Sequence, residues 1–302
     1  MKAIEIKNLE KKYGENTVLD GVSFSIESGD FFALLGHNGA GKTTLISILT
    51  NLVNKTTGKV KINGVDIDKD FQQARTYIGV VPQEFNFDIF SKVIDIPLIQ
   101  AGYYGIDKET ALKRTEKYLK KLGLWEKRNA RARELSGGMK RRLMIVRALV
   151  HKPKILILDE PTAGVDVELR KSMWEFIQEL NDAGTTILLT THYLEEVESL
   201  CKNVAIMHKG KIVENTSVKA LLSTLKKETI ILTVDDNSKK LNKDFVKQYG
   251  VNILPDNEME LEITKKHSLN ELFQQLDKEN ISVLSFRNKT NRLEALFMKL
   301  LK

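Results

Sequence analysis

The residues best suited to chemistry lie at positions 36–43, which read GHNGAGKT. Their spacing is that of a phosphate-binding loop, G-x-x-x-x-G-K-[ST], placed between an apolar strand at residues 31–35 and a helix-forming segment. The glycines let backbone N–H groups turn toward phosphate oxygens, and the helix start adds partial positive charge. Lys42 would place an ammonium on the outer phosphates, and the Thr43 hydroxyl would bind Mg²⁺. We therefore predict a nucleotide-phosphate site here.

Two acidic residues end an apolar segment farther along the chain, in ILILDEP at residues 155–161. A strand ending in Asp159 would deliver a carboxylate to the phosphate-loop side of a sheet, where it could hold Mg²⁺ through water. Glu160 follows directly, and a carboxylate beside a terminal phosphate can act as a general base toward an attacking water. Because an isolated Asp-Glu pair is more often a solvated strand end, this interpretation depends on the phosphate loop.

A second potential anion site occurs in ELSGGMKRRL at residues 134–143. Ser136 can cap the following helix, and Gly137 and Gly138 permit close backbone approach to an anion at the helix start. One chain rarely needs two sites for the same terminal phosphate. We therefore predict that this segment serves a nucleotide held by a second copy, in a two-fold dimer that encloses two nucleotides.

The elements that must position these residues alternate between strands and helices. Residues 31–35, 154–158 and 185–190 are short apolar segments of the kind buried in a parallel sheet, and each precedes a plausible helix. This alternation favours an α/β core.

A helix is predicted between these strands, over residues 107–122. Asp107 is its expected N-cap and Gly123 its stop, and Leu112 and Leu119 are expected to face inward.

The pattern changes after about Leu225. Residues 226–302 alternate short strands and helices, which predicts a small α+β domain, with a ferredoxin-like topology as the first choice. The segment has no phosphate loop and no cluster of catalytic residue types, so a regulatory or dimer-stabilising role is expected. The chain is thus divided into domains at residues 1–224 and 226–302.

Composition excludes several classes of protein. The 47 basic and 40 acidic residues give a net charge of +7, but the lysines are scattered over polar helix faces, as on ordinary solvated surfaces. The single cysteine, Cys201, excludes an internal disulfide and is expected to fill the core. No apolar run reaches about 18 residues, the length that spans a bilayer, and the N-terminus lacks a secretory apolar region. Any membrane work is therefore expected of a partner.

The ordered motifs of residues 1–224 resemble those of the ATPase subunit of an ABC transporter. They are Tyr13; GHNGAGKTT; Gln83 in VVPQEF; LSGGM; ILILDEP; Asp166 in AGVD; and His192 in TTHYLEE. Their joint order is highly specific, whereas a lone tyrosine, glutamine or histidine would carry no such meaning. The resemblance implies a P-loop NTPase core with a helical subdomain at about residues 84–150.

The resemblance also implies the role of individual residues. Tyr13 would stack on the adenine of ATP. The phosphate-loop contacts would be Gly36, His37, Asn38, Gly39, Ala40, Gly41, Lys42, Thr43 and Thr44. Contacts across a dimer would come from Ser136, Gly137, Gly138 and Asp166. The metal ligands for Mg²⁺ would be Thr43, Gln83 and Asp159. The catalytic residues would be Glu160 as base, His192 at the γ-phosphate, Gln83 at the attacking water, and Lys42.

Within that family, SGGMKRRL, PTAGVD and the C-terminal extension resemble the ATPase subunits of ABC-2-type exporters. There the membrane domain is usually a separate polypeptide, which implies an integral membrane permease as partner and a location at the cytoplasmic face of the cell membrane. The aromatic-rich residues 84–105 are the expected contact surface for that permease. The basic run of Lys140, Arg141 and Arg142 is expected to form the polar face of its helix.

Two alternatives stay open: the ATPase subunit of an ABC importer, and a soluble ABC ATPase that acts on ribosomes or nucleic acid. The second class generally carries two cassettes or a long coiled-coil insertion, and this sequence has neither, so no nucleic acid partner is expected. All residues needed for phosphoryl chemistry are present. We therefore expect a Mg-dependent ATPase that is coupled to transport and works as a homodimer with two competent sites.

Overall fold

The computed structural model describes residues 1–225, 227–235, 241–264, 269–289 and 292–300. The chain forms two compact units, Met1–Val218 and Lys219–Lys302. This division precedes the sequence-based boundary by a few residues, because a short helix, Val218–Ser223, begins at the junction and the change of sequence pattern comes only after that helix.

The first unit contains ten strands and seven complete helices in its described residues. The strands are β1 (Lys2–Tyr13), β2 (Asn16–Glu27), β3 (Phe31–Gly36), β4 (Thr57–Ile62), β5 (Val65–Asp66), β6 (Ile78–Val81), β7 (Ile155–Asp159), β8 (Thr186–Thr190), β9 (Asn203–His208) and β10 (Lys211–Ser217). The helices are α1 (Lys42–Leu49), α2 (Phe71–Thr76), α3 (Asp95–Tyr103), α4 (Lys108–Lys121), α5 (Gly137–Leu149), α6 (Val167–Asp182) and α7 (Leu194–Leu200), and α8 (Val218–Ser223) begins at the last residue of the unit.

The central sheet has six strands in the order β10-β9-β3-β8-β7-β6. All of its neighbouring strands are parallel except β9 and β10. Every residue of β7 and β8 is buried, as the wholly apolar segments predicted. Because β3, β8 and β7 are adjacent and parallel, their carboxyl ends bring Gly36, Thr190 and Asp159 to the same edge of the sheet.

A second sheet is antiparallel and ordered β2-β1-β4-β5. Its inward side chains, such as Ile4, Ile6 and Val60, join the same core as α1. The sequence of β2 mixes apolar and polar positions with register shifts against β1, so a simple alternating pattern does not identify it.

Helices α3, α4 and α5 pack against one another and form the predicted helical part of this unit. Asp107 caps α4 by accepting a hydrogen bond from the Thr110 amide at 2.9 Å, as predicted. The prediction that Leu112 faces inward was wrong, since it is 40% exposed. The buried stripe of α4 runs through Ala111, Thr115 and Leu119, and Leu112 lies one residue off that stripe.

A buried histidine follows α5. The His151 ring stacks on Tyr104 with centroids 3.8 Å apart, and its Nε2 donates to the Ile78 carbonyl at 2.9 Å. Burial lowers the pKa of His151 from 6.5 to about 4. Its Nδ1 has no hydrogen-bond partner among the described residues, so the fold holds the neutral ring.

We expect His151 to make the protein acid-sensitive. The unfolded chain takes up a proton near pH 6.5 and the folded chain only near pH 4, so stability is lost as pH falls through this window. The His151→Gln variant keeps a donor for the Ile78 carbonyl but cannot be protonated. Urea unfolding at pH 7 and pH 4.5 should therefore show an acid-induced loss that is smaller in the variant, by about 2 kcal/mol. An equal loss in both proteins would contradict this prediction.

The second unit has the order β11 (Lys227–Val234), α9 (Lys243–Tyr249), β12 (Asn252–Leu254), β13 (Glu258–Thr264), α10 (Leu269–Lys278), β14 (Val283–Asn288) and α11 (Arg292–Leu300). Its antiparallel sheet is ordered β12-β13-β11-β14 around a core that includes Leu232, Tyr249 and Leu272. This confirms the ferredoxin-like arrangement. In neither unit does the described part of the chain contain a helix of the length and apolarity that crossing a membrane requires.

Candidate functional site

The phosphate loop joins β3 to α1 in a backbone conformation that requires glycine. Gly41 has a φ of 109°, and a Cβ there would lie 2.8 Å from Leu19 Cδ2. A Cβ on Gly36 would lie 2.6 Å from the Met207 carbonyl oxygen. The Lys42 ammonium folds over the loop and donates to the carbonyl of Gly36 at 2.6 Å and of His37 at 3.2 Å. The loop is therefore a backbone cradle with a cation at its mouth.

The charged side chains at this edge of the sheet are partly buried, and two carboxylates lie close to an ammonium. Burial raises the pKa of Asp159, and the neighbouring Glu160 carboxylate raises it further, against the hydrogen bond from Thr190 and the charges of Lys42 and Arg141. Burial also lowers the pKa of Lys42, against the attraction of Glu160 and Asp159. Two neighbouring carboxylates in a partly buried position are a setting that a divalent cation stabilises.

The residues predicted to hold Mg²⁺ fit that ion. Thr43, Gln83 and Asp159 all line one cavity of about 290 Å³. They offer hydroxyl, amide and carboxylate oxygens, the ligands that Mg²⁺ prefers.

A hydrogen bond joins the predicted base to the predicted γ-phosphate residue. His192 Nδ1 lies 2.5 Å from Glu160 Oε2. Glu160 follows β7 with a φ of 51°, a conformation that residues other than glycine seldom adopt, and its N–H donates to the Thr190 carbonyl at 3.0 Å. His192 follows β8 and its side chain is 55% exposed. A base oriented by a second titratable side chain is the arrangement that activates a nucleophile.

The cavity brings together most of the predicted residues. Those that line it are His37, Asn38, Gly39, Gly41, Lys42, Thr43, Thr44, Gln83, Asp159 and Glu160, together with Val18. The predicted residues outside its lining are Tyr13, Gly36, Ala40, Ser136, Gly137, Gly138, Asp166 and His192. Tyr13 ends β1 with its ring 49% exposed, and the Lys11 ammonium lies 4.5 Å from the ring centroid.

The second predicted anion segment begins α5. Ser136 Oγ accepts a hydrogen bond from the Met139 amide at 3.3 Å, so the predicted cap is confirmed. Gly138 lies close to α6, because a Cβ there would lie 2.3 Å from Leu169 Cδ2 and the Leu169 side chain would have to move. Asp166 caps α6 by accepting from the Leu169 amide at 2.9 Å. The start of α5 and the start of α6 are therefore packed together.

Arg141 corrects the prediction of a polar face. It is only 5% exposed, and its guanidinium donates to the carbonyls of Pro82 at 2.7 Å and Gln83 at 2.9 Å. A buried cation is stable here because these carbonyls satisfy it. The spacing contained a usable signal, since Arg141 shares the helical stripe of Ile145 and Ala148, which are buried.

Glu196 is a second residue that sequence reasoning missed. Its buried carboxylate accepts from Thr162 Oγ1 at 2.8 Å, Trp174 Nε1 at 3.0 Å and Thr191 Oγ1 at 2.9 Å. It thus ties the loop after Glu160 to the loop that carries His192. No sequence pattern distinguishes it, because it stands among several similar glutamates in LEEVES.

Comparison with known proteins places this site in a family. The profile of the ABC transporter domain matches residues 19–163. The linearmycin resistance ATP-binding protein of Bacillus subtilis (strain 168) is 35% identical over 98% of this chain and 97% of its own length. The chain belongs to the ABC transporter family. A second relative of this ABC ATPase, the Nod factor export ATP-binding protein I of Paraburkholderia xenovorans (strain LB400), is 40% identical over 74% of the chain and 73% of its own length.

Solved structures resemble the ABC cassette of this chain. An ATP-binding subunit of an ABC transporter has a TM-score of 0.69 at 28% identity and covers 73% of this chain and 92% of its own. An ABC cassette in its ADP conformation has a TM-score of 0.66 at 28% identity, over 74% of this chain and 96% of its own. The protein is therefore an ABC transporter ATPase subunit of the P-loop α/β class, and its cassette is of the type that binds ATP and ADP.

Proposed function

We propose that this ABC ATPase hydrolyses Mg-ATP at the cavity between the phosphate loop and Glu160, and that the reaction powers export by a separate membrane permease. The Glu160–His192 hydrogen bond carries the proposal of hydrolysis, because it places an oriented base beside the Lys42 ammonium and the Asp159 carboxylate. A simple binding module would not need such a pair.

The side chains of the cavity divide the tasks of this reaction among them. Lys42 and the loop amides bind the outer phosphates and stabilise the charge that develops on them. Glu160 accepts a proton from the attacking water, and His192 orients Glu160 and contacts the terminal phosphate. Thr43, Gln83 and Asp159 would hold Mg²⁺, which supplies charge neutralisation at the phosphates when bound.

A second copy would complete each site. Ser136 and Gly137 lie outside the cavity lining although the start of α5 is suited to an anion, which supports the proposal that they serve the nucleotide of the other subunit. Asp166, the acidic cap of α6, also lies outside the lining and would contact the other subunit across the dimer. An ABC cassette solved as a dimer, in a post-hydrolysis state with bound ADP and phosphate, resembles this chain with a TM-score of 0.65 at 26% identity over 71% of this chain and 98% of its own.

Export and a permease partner are supported by two observations. Of the two relatives named above, one is a Nod factor export ATP-binding protein and the other is a linearmycin resistance ATP-binding protein. Between Gln83 and α4 the chain exposes large apolar side chains, with Phe90 60% and Tyr103 75% exposed, and such exposure is typical of contact surfaces. The permease would hold the protein at the cytoplasmic face of the membrane.

The test is affinity isolation of the tagged Glu160→Gln protein from detergent-solubilised cells in Mg-ATP, followed by mass spectrometry. We expect a polytopic membrane protein to be recovered, and we expect Phe90→Ala with Tyr103→Ala, added to the same protein, to lose it while self-association is kept. Lys12→Ala, which removes an exposed side chain of β1, is the control. Recovery of a solute-binding protein would indicate an importer instead. Ribosomes or nucleic acid without a membrane protein would overturn the transport proposal.

A further inference from the structure

The backbone that carries Gln83 is fastened to α5 by arginines. Arg141 donates from its two terminal nitrogens to the consecutive carbonyls of Pro82 and Gln83. Arg147, farther along the same helix, donates to the Asn86 carbonyl at 3.1 Å and to Asn86 Oδ1 at 2.6 Å. The segment between Pro82 and Asn86 is therefore held at both ends by one helix. We call this set of four hydrogen bonds the arginine bracket.

The geometry suits arginine and not lysine. Two successive carbonyl oxygens need two donors in a fixed plane, which the guanidinium fork supplies and a single ammonium does not. Phe85 lies against the same group, with its ring centroid 5.1 Å from Arg141 Cζ. The Arg141 Nε has no hydrogen-bond partner among the described residues, so the guanidinium is held by its two carbonyl contacts, while the charges of Asp159 and Glu160 offset part of its burial.

The same helix begins at the second predicted nucleotide contact. Ser136 is the N-cap of α5, and Arg141 lies five residues farther along, about 7.5 Å along the helix axis. A helix is rigid over that distance. A rigid helix would carry a displacement of the Gln83 backbone to the helix start, and a displacement of the helix start to Gln83.

We infer that Arg141 is a positioning residue, which together with Arg147 couples Gln83 in one nucleotide site to the Ser136 end of α5 in the other. This inference rests on the proposed function, because the two ends of the bracket serve two nucleotides only in the proposed dimer. Arg141 lies outside the cavity lining and is proposed to act through Gln83. Its charge also lowers the pKa of Asp159, and an effect by that route would appear as a further loss of kcat in the Gln83→Ala background.

A double-mutant cycle tests the inference with the full-length protein. Arg141→Gln, Gln83→Ala and the double variant are compared in kcat, KM and the Hill coefficient for ATP. Arg141→Gln should lower kcat about 10- to 100-fold through misplacement of Gln83, with KM changed less than about threefold, and should bring the Hill coefficient to one. In the Gln83→Ala background it should cause no further loss of kcat.

Arg142→Gln is the matched control. Arg142 is also on α5, donates to the Leu122 carbonyl at 2.7 Å and has an Nε without a partner among the described residues, but none of its hydrogen bonds reaches the Gln83 segment. Its effect should be the same with and without Gln83. Arg141→Lys keeps one donor and should restore part of kcat. If Arg141→Gln fails to fold, Arg147→Gln, at a less buried position, should reduce the Hill coefficient in its place.

The outcomes separate the two proposals. If the wild-type protein hydrolyses ATP cooperatively and Arg141→Gln costs the same factor with and without Gln83, or leaves the Hill coefficient unchanged, the bracket is merely structural and the inference is wrong. If the wild-type protein does not hydrolyse ATP at all, the proposed function itself fails.

Discussion

Glu160→Gln should reduce ATP hydrolysis by about 10²- to 10⁴-fold, the contribution typical of a positioned general base, while leaving ATP binding intact. This corresponds to about 3–5 kcal/mol in the activation barrier. Glutamine has the shape of glutamate and can still contact His192 Nδ1, so the pocket is kept and only the proton acceptor is lost. Phosphate release measures the rate, and titration with a fluorescent ATP analogue measures the binding.

The same substitution should trap a dimer. With hydrolysis blocked, Mg-ATP should hold two copies together, and size-exclusion chromatography should show a shift that the wild-type protein loses as ATP is consumed. The substitution also removes the Glu160 charge, which raises the pKa of Asp159, so the Asp159 carboxylate should ionise more readily. The control is Glu195→Gln, which neutralises an exposed carboxylate of α7. A Glu160→Gln protein with a rate within about twofold of wild type would exclude Glu160 as the base.

The phosphate loop was predictable because the residues that bind phosphate are consecutive in the sequence. A loop that binds phosphate through its own backbone needs glycines and a lysine at fixed spacing, and the structure places these residues between β3 and α1 as expected. The α/β class was predictable for a related reason, since strands buried on both faces must be apolar throughout. The contributions of Tyr13, Ser136 and Asp166 to nucleotide binding stay predictions.

The contacts that sequence reasoning missed join distant parts of the chain. Arg141 and Gln83 are 58 residues apart, and no local pattern records their pairing. A basic run usually forms a solvated face, so the burial of Arg141 goes against the general tendency. Glu196 was missed for the same reason. Nothing in the sequence distinguishes a buried carboxylate that accepts from three donors from a glutamate on the surface. Long-range polar contacts of this kind require the three-dimensional arrangement.

Lys42→Met should separate nucleotide binding from stability. The methionine keeps the apolar stem but removes the ammonium, and hydrogen bonds to charged groups contribute about 1.5–3 kcal/mol each. ATP affinity should therefore fall by roughly 10- to 150-fold, and the stabilisation of the protein by added Mg-ATP in a thermal melt should be lost with it. The exposed Lys69→Ala serves as the control and should keep both.

Without nucleotide, the Lys42→Met protein should melt at the same temperature as wild type or slightly higher. Burial lowers the pKa of Lys42, so the fold disfavours its charged form, and below that pKa the charge costs stability. The attraction of the Glu160 and Asp159 carboxylates offsets only part of this cost. A lysine kept in place against the stability of the fold is explained by the ligand that it binds. A Lys42→Met protein that melts much lower than wild type would instead assign Lys42 to the structure of the loop.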